Sequence, residues 1–159
     1  MRQPLRITVS SSLSQPASLL YSILADYREG HPQIIPPAYF RNLQVEEGGY
    51  GAGTMIQFQM CLLGRIENVR GIVTEPEPGR VLVETYPATN VVTSFTVQPD
   101  ATGQAAEVTI TTEMNTHAGV AGMLERFLLP LLFRRIYTQE LARLAAYAAS
   151  HSENPRRTS

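Results

Sequence analysis

The sequence contains no lysine and no tryptophan, and all 13 of its basic residues are arginine. The absence of lysine excludes Schiff-base chemistry and lysine nucleophiles. The single cysteine, Cys61, cannot form an internal disulfide or a multi-cysteine zinc site. One unpaired cysteine is typical of proteins in a reducing compartment. We therefore expect a cytoplasmic protein that holds no metal.

An excess of positive charge is also missing, since 13 basic residues stand against 14 acidic ones and the formal net charge is -1. A chain of this charge cannot neutralise a phosphate backbone, so we expect no nucleic-acid partner. No apolar run approaches the roughly 20 residues that span a bilayer. The N-terminus lacks the apolar core of a signal peptide. The sequence therefore predicts no integral membrane segment.

The short motifs of catalysis and cofactor binding do not occur: there is no G-x-G-x-x-G, Walker A, H-E-x-x-H or G-x-S-x-G sequence. The glycine-rich residues 48–53 lead into a predicted strand, so they lack the helix N-terminus that binds phosphate. The three histidines lie far apart, which leaves His31 and His117 as weak candidates for acid–base chemistry. We predict no cofactor, and no motif identifies a catalytic residue.

What the sequence does contain is enough apolar material for one domain. We expect that domain over residues 1–150 and a polar tail over residues 151–159. Residues 5–9 alternate as a strand does, and Pro16 marks the first turn of a helix. Residues 31–37 (HPQIIPP) hold three prolines, which predicts a stiff loop without regular structure, a candidate lid.

A series of predicted strands follows without an intervening helix: residues 39–46, 54–63, 66–75, 80–86, 91–98 and 107–114. Turns rich in glycine and proline separate them, as in an antiparallel meander. Alternation gives the sheet one apolar and one polar face. The apolar pattern of residues 119–149 predicts one long helix that covers the apolar face and contains Pro130. The sequence thus predicts an α+β fold in which a curved antiparallel sheet wraps around a long C-terminal helix.

Large aromatic and methionine side chains are the natural lining of a cavity between this sheet and helix. The first turns of the predicted helix (AGVAGM) are poor in bulk, so the helix could stand off the sheet there. The same side chains could equally be an ordinary packed core. The candidates are Phe58, Met60, Phe95, Met114, Met123 and Phe127.

Three polar strand residues could orient a ligand. Arg70 shares strand parity with Ile66 and Ile72, and Glu84 shares it with Tyr86. If they point inward, Arg70, Glu84 and Tyr86 supply a cation, a carboxylate and a hydroxyl to an apolar cavity. If they point outward, they are an ordinary cross-strand surface set. Parity alone does not decide between the two.

Several stretches resemble the START-like superfamily, also called SRPBCC, and its polyketide cyclase/dehydrase branch. They are residues 16–27 (PASLLYSILADY) with the proline-rich segment after them, residues 51–54 (GAGT), residues 73–82 (VTEPEPGRVL), residues 95–108 (FTVQPDATGQAAEV) and the closing helix with Pro130. The resemblance implies the helix-grip fold and a hydrophobic cavity between sheet and helix. It carries over no catalytic residue, and fold alone does not assign a reaction.

Three functions follow as hypotheses. The first is binding or transport of a small hydrophobic molecule such as a lipid, an isoprenoid or an aromatic polyketide. The second is a cyclase or dehydratase that uses acid–base groups in the same cavity, with Glu84, Tyr86, Arg70 or His31 as donors. The third is protein interaction, since the apolar run of residues 127–133 (FLLPLLF) could contact a partner or form a homodimer.

Overall fold

The computed structural model describes residues 3–152, which form seven strands and three helices. Every strand predicted from alternation is present, with ends shifted by a few residues. The chain orders them as β1 (Leu5–Leu13), α1 (Ala17–Ala25), α2 (Gly30–Ile34), β2 (Phe40–Glu47), β3 (Met55–Leu62), β4 (Arg65–Glu77), β5 (Val81–Tyr86), β6 (Val91–Pro99), β7 (Ala106–Met114) and α3 (Gly119–Ser152).

The strands form one antiparallel sheet in the order β1-β7-β6-β5-β4-β3-β2. Strands that are consecutive in the chain therefore pair with one another from β2 to β7. Strand β1 pairs with the other edge of β7, with Leu5 opposite Met114 and Leu13 opposite Ala106. Inward side chains alternate with outward ones, as the period of a strand requires. In β5 the inward residues Leu82, Glu84 and Tyr86 are all buried.

Helix α3 fills the concave side of this curved sheet and confirms the predicted α+β architecture. The helix is continuous through Pro130 and packs along its C-terminal half. Phe133, Ile136, Leu141 and Leu144 are each 5% exposed or less and belong to the core. Their spacing of three to five residues places them on the stripe that faces α1, α2 and β1. Within residues 3–152, no helix is long and apolar enough to cross a membrane.

The proline-rich segment differs from its prediction. Residues Gly30–Ile34 form α2, although the segment was expected to lack a regular element. Pro32 is compatible with this helix because it lies in the first turn, where backbone N–H groups have no partner within the helix. The helix packs closely on α1: a methyl group on Gly30 would lie 2.7 Å from the carbonyl oxygen of Ile23. The segment is thus a fixed part of the cavity wall.

Candidate functional site

A cavity of about 190 Å³ lies between the sheet and α3. Its wall is mainly apolar and comes from α2, from strands β2 to β7 and from α3. Aromatic rings pack edge to face along it: the ring centres of Phe40 and Phe58 are 5.6 Å apart, and those of Phe58 and Tyr86 are 5.8 Å apart. Such contacts fix the wall in place, so the space is preformed.

Glu84 on β5 places a carboxylate in this apolar cavity, where it is 4% exposed. Tyr27 donates its hydroxyl to Oε1 at 2.6 Å, and Tyr86 donates its hydroxyl to Oε2. Burial and the charge of Glu84 raise the pKa of both phenols well above their usual value, so both keep their protons. Each oxygen of Glu84 therefore accepts one hydrogen bond from a tyrosine.

His31 on α2 faces the same carboxylate and is 4% exposed. Its ring stacks on Tyr27, with the ring centres 4.5 Å apart. Nδ1 lies 2.8 Å from the carbonyl oxygen of Leu24, and because a carbonyl only accepts, Nδ1 carries a hydrogen. Nε2 lies 3.5 Å from Glu84 Oε1, so a protonated His31 forms an ion pair with Glu84.

A second carboxyl group enters the cavity from the opposite wall. Glu140 on α3 is 2% exposed, and within the described part of the chain its Oε1 has no hydrogen-bond partner. Burial and, next in size, the charge of Glu84 raise the pKa of Glu140 well above its ordinary value. The two carboxyl groups therefore differ: Glu84 accepts hydrogen bonds from two tyrosines, whereas Glu140, whose pKa is raised, keeps its proton.

A hydroxyl chain completes the polar part of the wall. Thr93 and Thr112 share a hydrogen bond of 2.8 Å across β6 and β7, and Thr112 bonds in turn to the hydroxyl of Tyr137 on α3. Burial raises the pKa of Tyr137 well above its usual value. These hydroxyl groups are hydrogen-bond partners for one another, so none of them is buried without a partner.

The structure brings together six of the nine residues singled out from the sequence. Those that line the cavity are Phe58, Met60, Glu84, Tyr86, Phe95 and Met114.

Arg70 is not among them, and the alternative in which its side chain points into the cavity is wrong. The side chain lies on the outer face of β4, where Nη2 is 2.7 Å from Oε2 of Glu46. The physical reason is parity, because the odd residues Glu67 and Val69 line the cavity and the even residues face solvent. Arg70 therefore belongs to the surface set, whereas Glu84 and Tyr86 point inward.

Met123 and Phe127 also lie away from the cavity. Their exposed fractions are 72% and 68%, and Val120, Leu124 and Leu131 are exposed beside them. The exposed residues recur every three or four positions, so they share the face of α3 that is turned to solvent, and only Gly122 of residues 119–131 is buried. Leu129 and Phe133 are the apolar α3 residues that do line the cavity. The apolar run of residues 127–133, for which contact with a partner is one hypothesis, thus has both exposed and cavity-lining positions.

Sequence reasoning missed Tyr27, Tyr137 and Glu140 and undervalued His31. Glu140 had a usable signal: it occupies the same helical stripe as Phe133, Ile136 and Leu144, and a charged residue in such a stripe is buried. Tyr27 and His31 had none, because only tertiary packing places them beside Glu84. Among residues 3–152 no group of three or more His, Cys, Asp or Glu side chains could hold a metal ion.

Comparisons with known proteins agree with this architecture. The chain is similar to the KanY protein, at 25% identity over 94% of this chain and 99% of that one, with a TM-score of 0.80. It shares the fold of the Zhui aromatase/cyclase from Streptomyces sp. R1128, at 17% identity over 96% and 98% of the two chains and a TM-score of 0.76. It also shares that of norcoclaurine synthase from Thalictrum flavum, at 12% identity over 93% and 88% and a TM-score of 0.68.

No curated protein matches the sequence significantly. The family model described as polyketide cyclase/dehydrase and lipid transport matches residues 4–149, which is nearly the whole described chain. The fold is the helix-grip fold that the sequence resemblance implied. The chain belongs to the polyketide cyclase/dehydrase and lipid-transport family.

Proposed function

We propose that the protein binds a small, mainly apolar molecule in the cavity between its sheet and α3. The observation that carries the proposal is the preformed apolar space of about 190 Å³ with polar groups confined to a few positions. Ligand sites typically combine such a wall with a small number of polar groups that orient the ligand. Family membership supports the same function.

The size of the cavity narrows the ligand. A cavity of roughly 150 Å³ admits benzene, and drug-sized ligands occupy roughly 300 to 1,000 Å³. At about 190 Å³, the space suits a molecule of one or two rings or a short isoprenoid, rather than a lipid with two acyl chains. The edge-to-face rings of Phe40, Phe58 and Tyr86 favour a flat aromatic guest.

Binding is tested by titration with 2-naphthol, a neutral two-ring dye whose emission changes when it leaves water. Wild type should give saturable binding. Met60→Trp fills the cavity from β3, and Gln59→Trp places the same ring on the outer face of that strand. We expect Met60→Trp to weaken binding at least tenfold and Gln59→Trp to leave it within twofold. Equal binding by both variants, or no saturable binding by wild type, refutes the proposal.

A second candidate is acid–base chemistry on the bound molecule, favoured by the enclosed carboxylate of Glu84. In an enolisation, Glu84 accepts a proton from the carbon next to a carbonyl group, and the C–H electron pair forms a C=C bond. The carbonyl oxygen takes a proton from the neutral Glu140, so charge and atoms balance. Tyr27 and Tyr86 hold Glu84 in place.

The enolisation is tested by deuterium exchange into the carbon next to the carbonyl group of 1-tetralone, followed by mass spectrometry in D2O. Wild type should accelerate exchange above buffer, and Glu84→Gln should remove that acceleration because an amide cannot accept the proton. Arg70→Gln on the outer face is the control and should exchange as wild type does. Exchange at the buffer rate in wild type rejects the catalyst and leaves the binding function standing.

A further inference from the structure

Among residues 3–152, three buried side-chain oxygens have no hydrogen-bond partner, those of Gln15, Thr116 and Glu140, and of these residues only Glu140 lines the cavity. It lies on the packed stripe of α3, lines the cavity, and is 2% exposed, and its Oε1 has no hydrogen-bond partner. A buried polar atom without a partner costs free energy. An apolar residue would fill this position of the stripe without that cost. A hydrogen-bond partner on a bound ligand would explain why a carboxyl group is found here instead.

The surroundings of Glu140 determine the charge of that partner. No arginine lines the cavity, and the one arginine predicted to do so pairs with Glu46 on the outer face. The titratable groups around the space are His31, Glu67, Glu84, Tyr86 and Tyr137. His31 faces Glu84. The hydroxyls of Tyr27 and Tyr86 also donate to Glu84, so these donors are already used by Glu84. Burial and the nearby charge of Glu84 therefore keep Glu140 protonated.

A neutral carboxyl group has one O–H donor, and either oxygen can carry the hydrogen. The partner that it lacks is a hydrogen-bond acceptor, because the wall hydroxyls of Thr93, Thr112 and Tyr137 bond to one another and not to Glu140. A cationic group would require Glu140 to be ionised beside Glu84. A pure hydrocarbon would leave the O–H buried and unpaired.

We propose that Glu140 donates a hydrogen bond to a carbonyl oxygen of the ligand, so that the cavity selects uncharged aromatic ketones over hydrocarbons and amines of the same shape. The inference rests on the proposed binding function and names its ligand class. Glu140 is a binding residue in this role whether or not chemistry follows.

Three bicyclic probes of matched size test the inference: 1-tetralone, tetralin and 1-aminotetralin. They carry a carbonyl group, a methylene group and a cationic amine at the same position. We expect wild type to bind 1-tetralone about tenfold more tightly than tetralin, the ratio for one net hydrogen bond, and 1-aminotetralin more weakly than either. Dissociation constants follow from displacement of 2-naphthol at neutral pH.

Two variants separate the hydrogen bond from the shape of the site. Glu140→Leu removes the donor and should bind tetralin and 1-tetralone equally. Glu140→Gln keeps an N–H donor of the same length and should keep a preference for 1-tetralone. Circular dichroism and thermal unfolding confirm that each variant is folded, and folding of either one suffices for the comparison with wild type.

Each outcome supports or overturns the inference. Preference for 1-tetralone in Glu140→Leu shows that another group recognises the carbonyl and overturns it. So does tightest binding of 1-aminotetralin, because the cavity would then select a cation, paired with Glu84 or with an ionised Glu140. Equal binding of tetralin and 1-tetralone by wild type overturns the inference and leaves the proposed function intact. If the dye itself does not bind, the proposed function fails and this inference fails with it.

Discussion

Glu84 and Glu140 enter one cavity from opposite walls, the first from β5 and the second from α3, and each is at most 4% exposed. Tyrosine hydroxyls donate to Glu84, whereas Glu140 Oε1 has no partner in the described chain. Two like groups that line one buried space thereby have different hydrogen-bond surroundings. This difference underlies both the acid–base candidate and the ligand class proposed above.

The unpaired carboxyl should make stability depend on pH. The pKa of Glu140 is well above the ordinary 4.5 in the folded protein, so the folded state binds more protons than the unfolded state between these values. Its contribution to the free energy of unfolding is complete below about pH 4.5 and is lost as pH rises through the folded-state pKa. The slope is at most about 1.4 kcal/mol per pH unit.

Urea unfolding of wild type and Glu140→Gln from pH 5 to pH 8 measures this contribution. The variant keeps Glu84 and His31, so the difference between the two curves reports Glu140 together with its coupling to Glu84. We expect Glu140→Gln to gain stability relative to wild type as pH rises. A difference that does not vary with pH contradicts a raised pKa.

Tyr27→Phe should destabilise the fold by about 1–3 kcal/mol, because Glu84 loses a donor inside the cavity wall. Tyr50→Phe is the matched control, since Tyr50 is 60% exposed, and it should change the free energy of unfolding by less than about 0.5 kcal/mol. In the Glu84→Gln background, the cost of Tyr27→Phe should shrink. A cost that stays the same in both backgrounds indicates packing rather than the hydrogen bond.

Gly71 determines where Tyr86 lies. A methyl group at this position would lie 2.7 Å from Cε1 of Tyr86, so Gly71→Ala must displace the ring. We expect a loss of about 1–3 kcal/mol in the free energy of unfolding and weaker dye binding. Combined with Tyr86→Leu, the same substitution should cost less, because the flexible side chain gives way. Equal costs in the two backgrounds would place the clash elsewhere.

The two halves of α3 should respond differently to one substitution. Leu144→Ala removes a fully buried side chain and should cost about 2–5 kcal/mol. Leu131→Ala removes a side chain that is 58% exposed and should cost less than about 0.5 kcal/mol. Thermal or urea unfolding measures both. A large cost at Leu131 would show that this part of α3 is covered in solution, and sedimentation would then reveal an associated species.

Much of the architecture could be predicted from local pattern. Alternation along the chain placed every strand, and the long apolar stripe ending at Leu144 placed the final helix, because burial of one face imposes a period of 2 or 3.6 on the sequence. The prediction that residues 31–37 lack regular structure was wrong at Pro32, because a proline in the first turn of a helix does not interrupt it.

The residues of the candidate site were predicted only in part, because parity indicates which side chains share a face and not which face is buried. Arg70 and Glu84 had equal standing in the sequence, and only the pairing of β4 with its neighbours put one in solvent and the other in the cavity. Met123 and Phe127 have core chemistry, but they lie on the face of α3 that is turned to solvent. Period and composition are properties of a short segment, and they determined the elements. Tyr27, His31 and Glu140 come from segments far apart in the chain, so tertiary packing decided that Tyr27 bonds Glu84 and that His31 and Glu140 line the cavity.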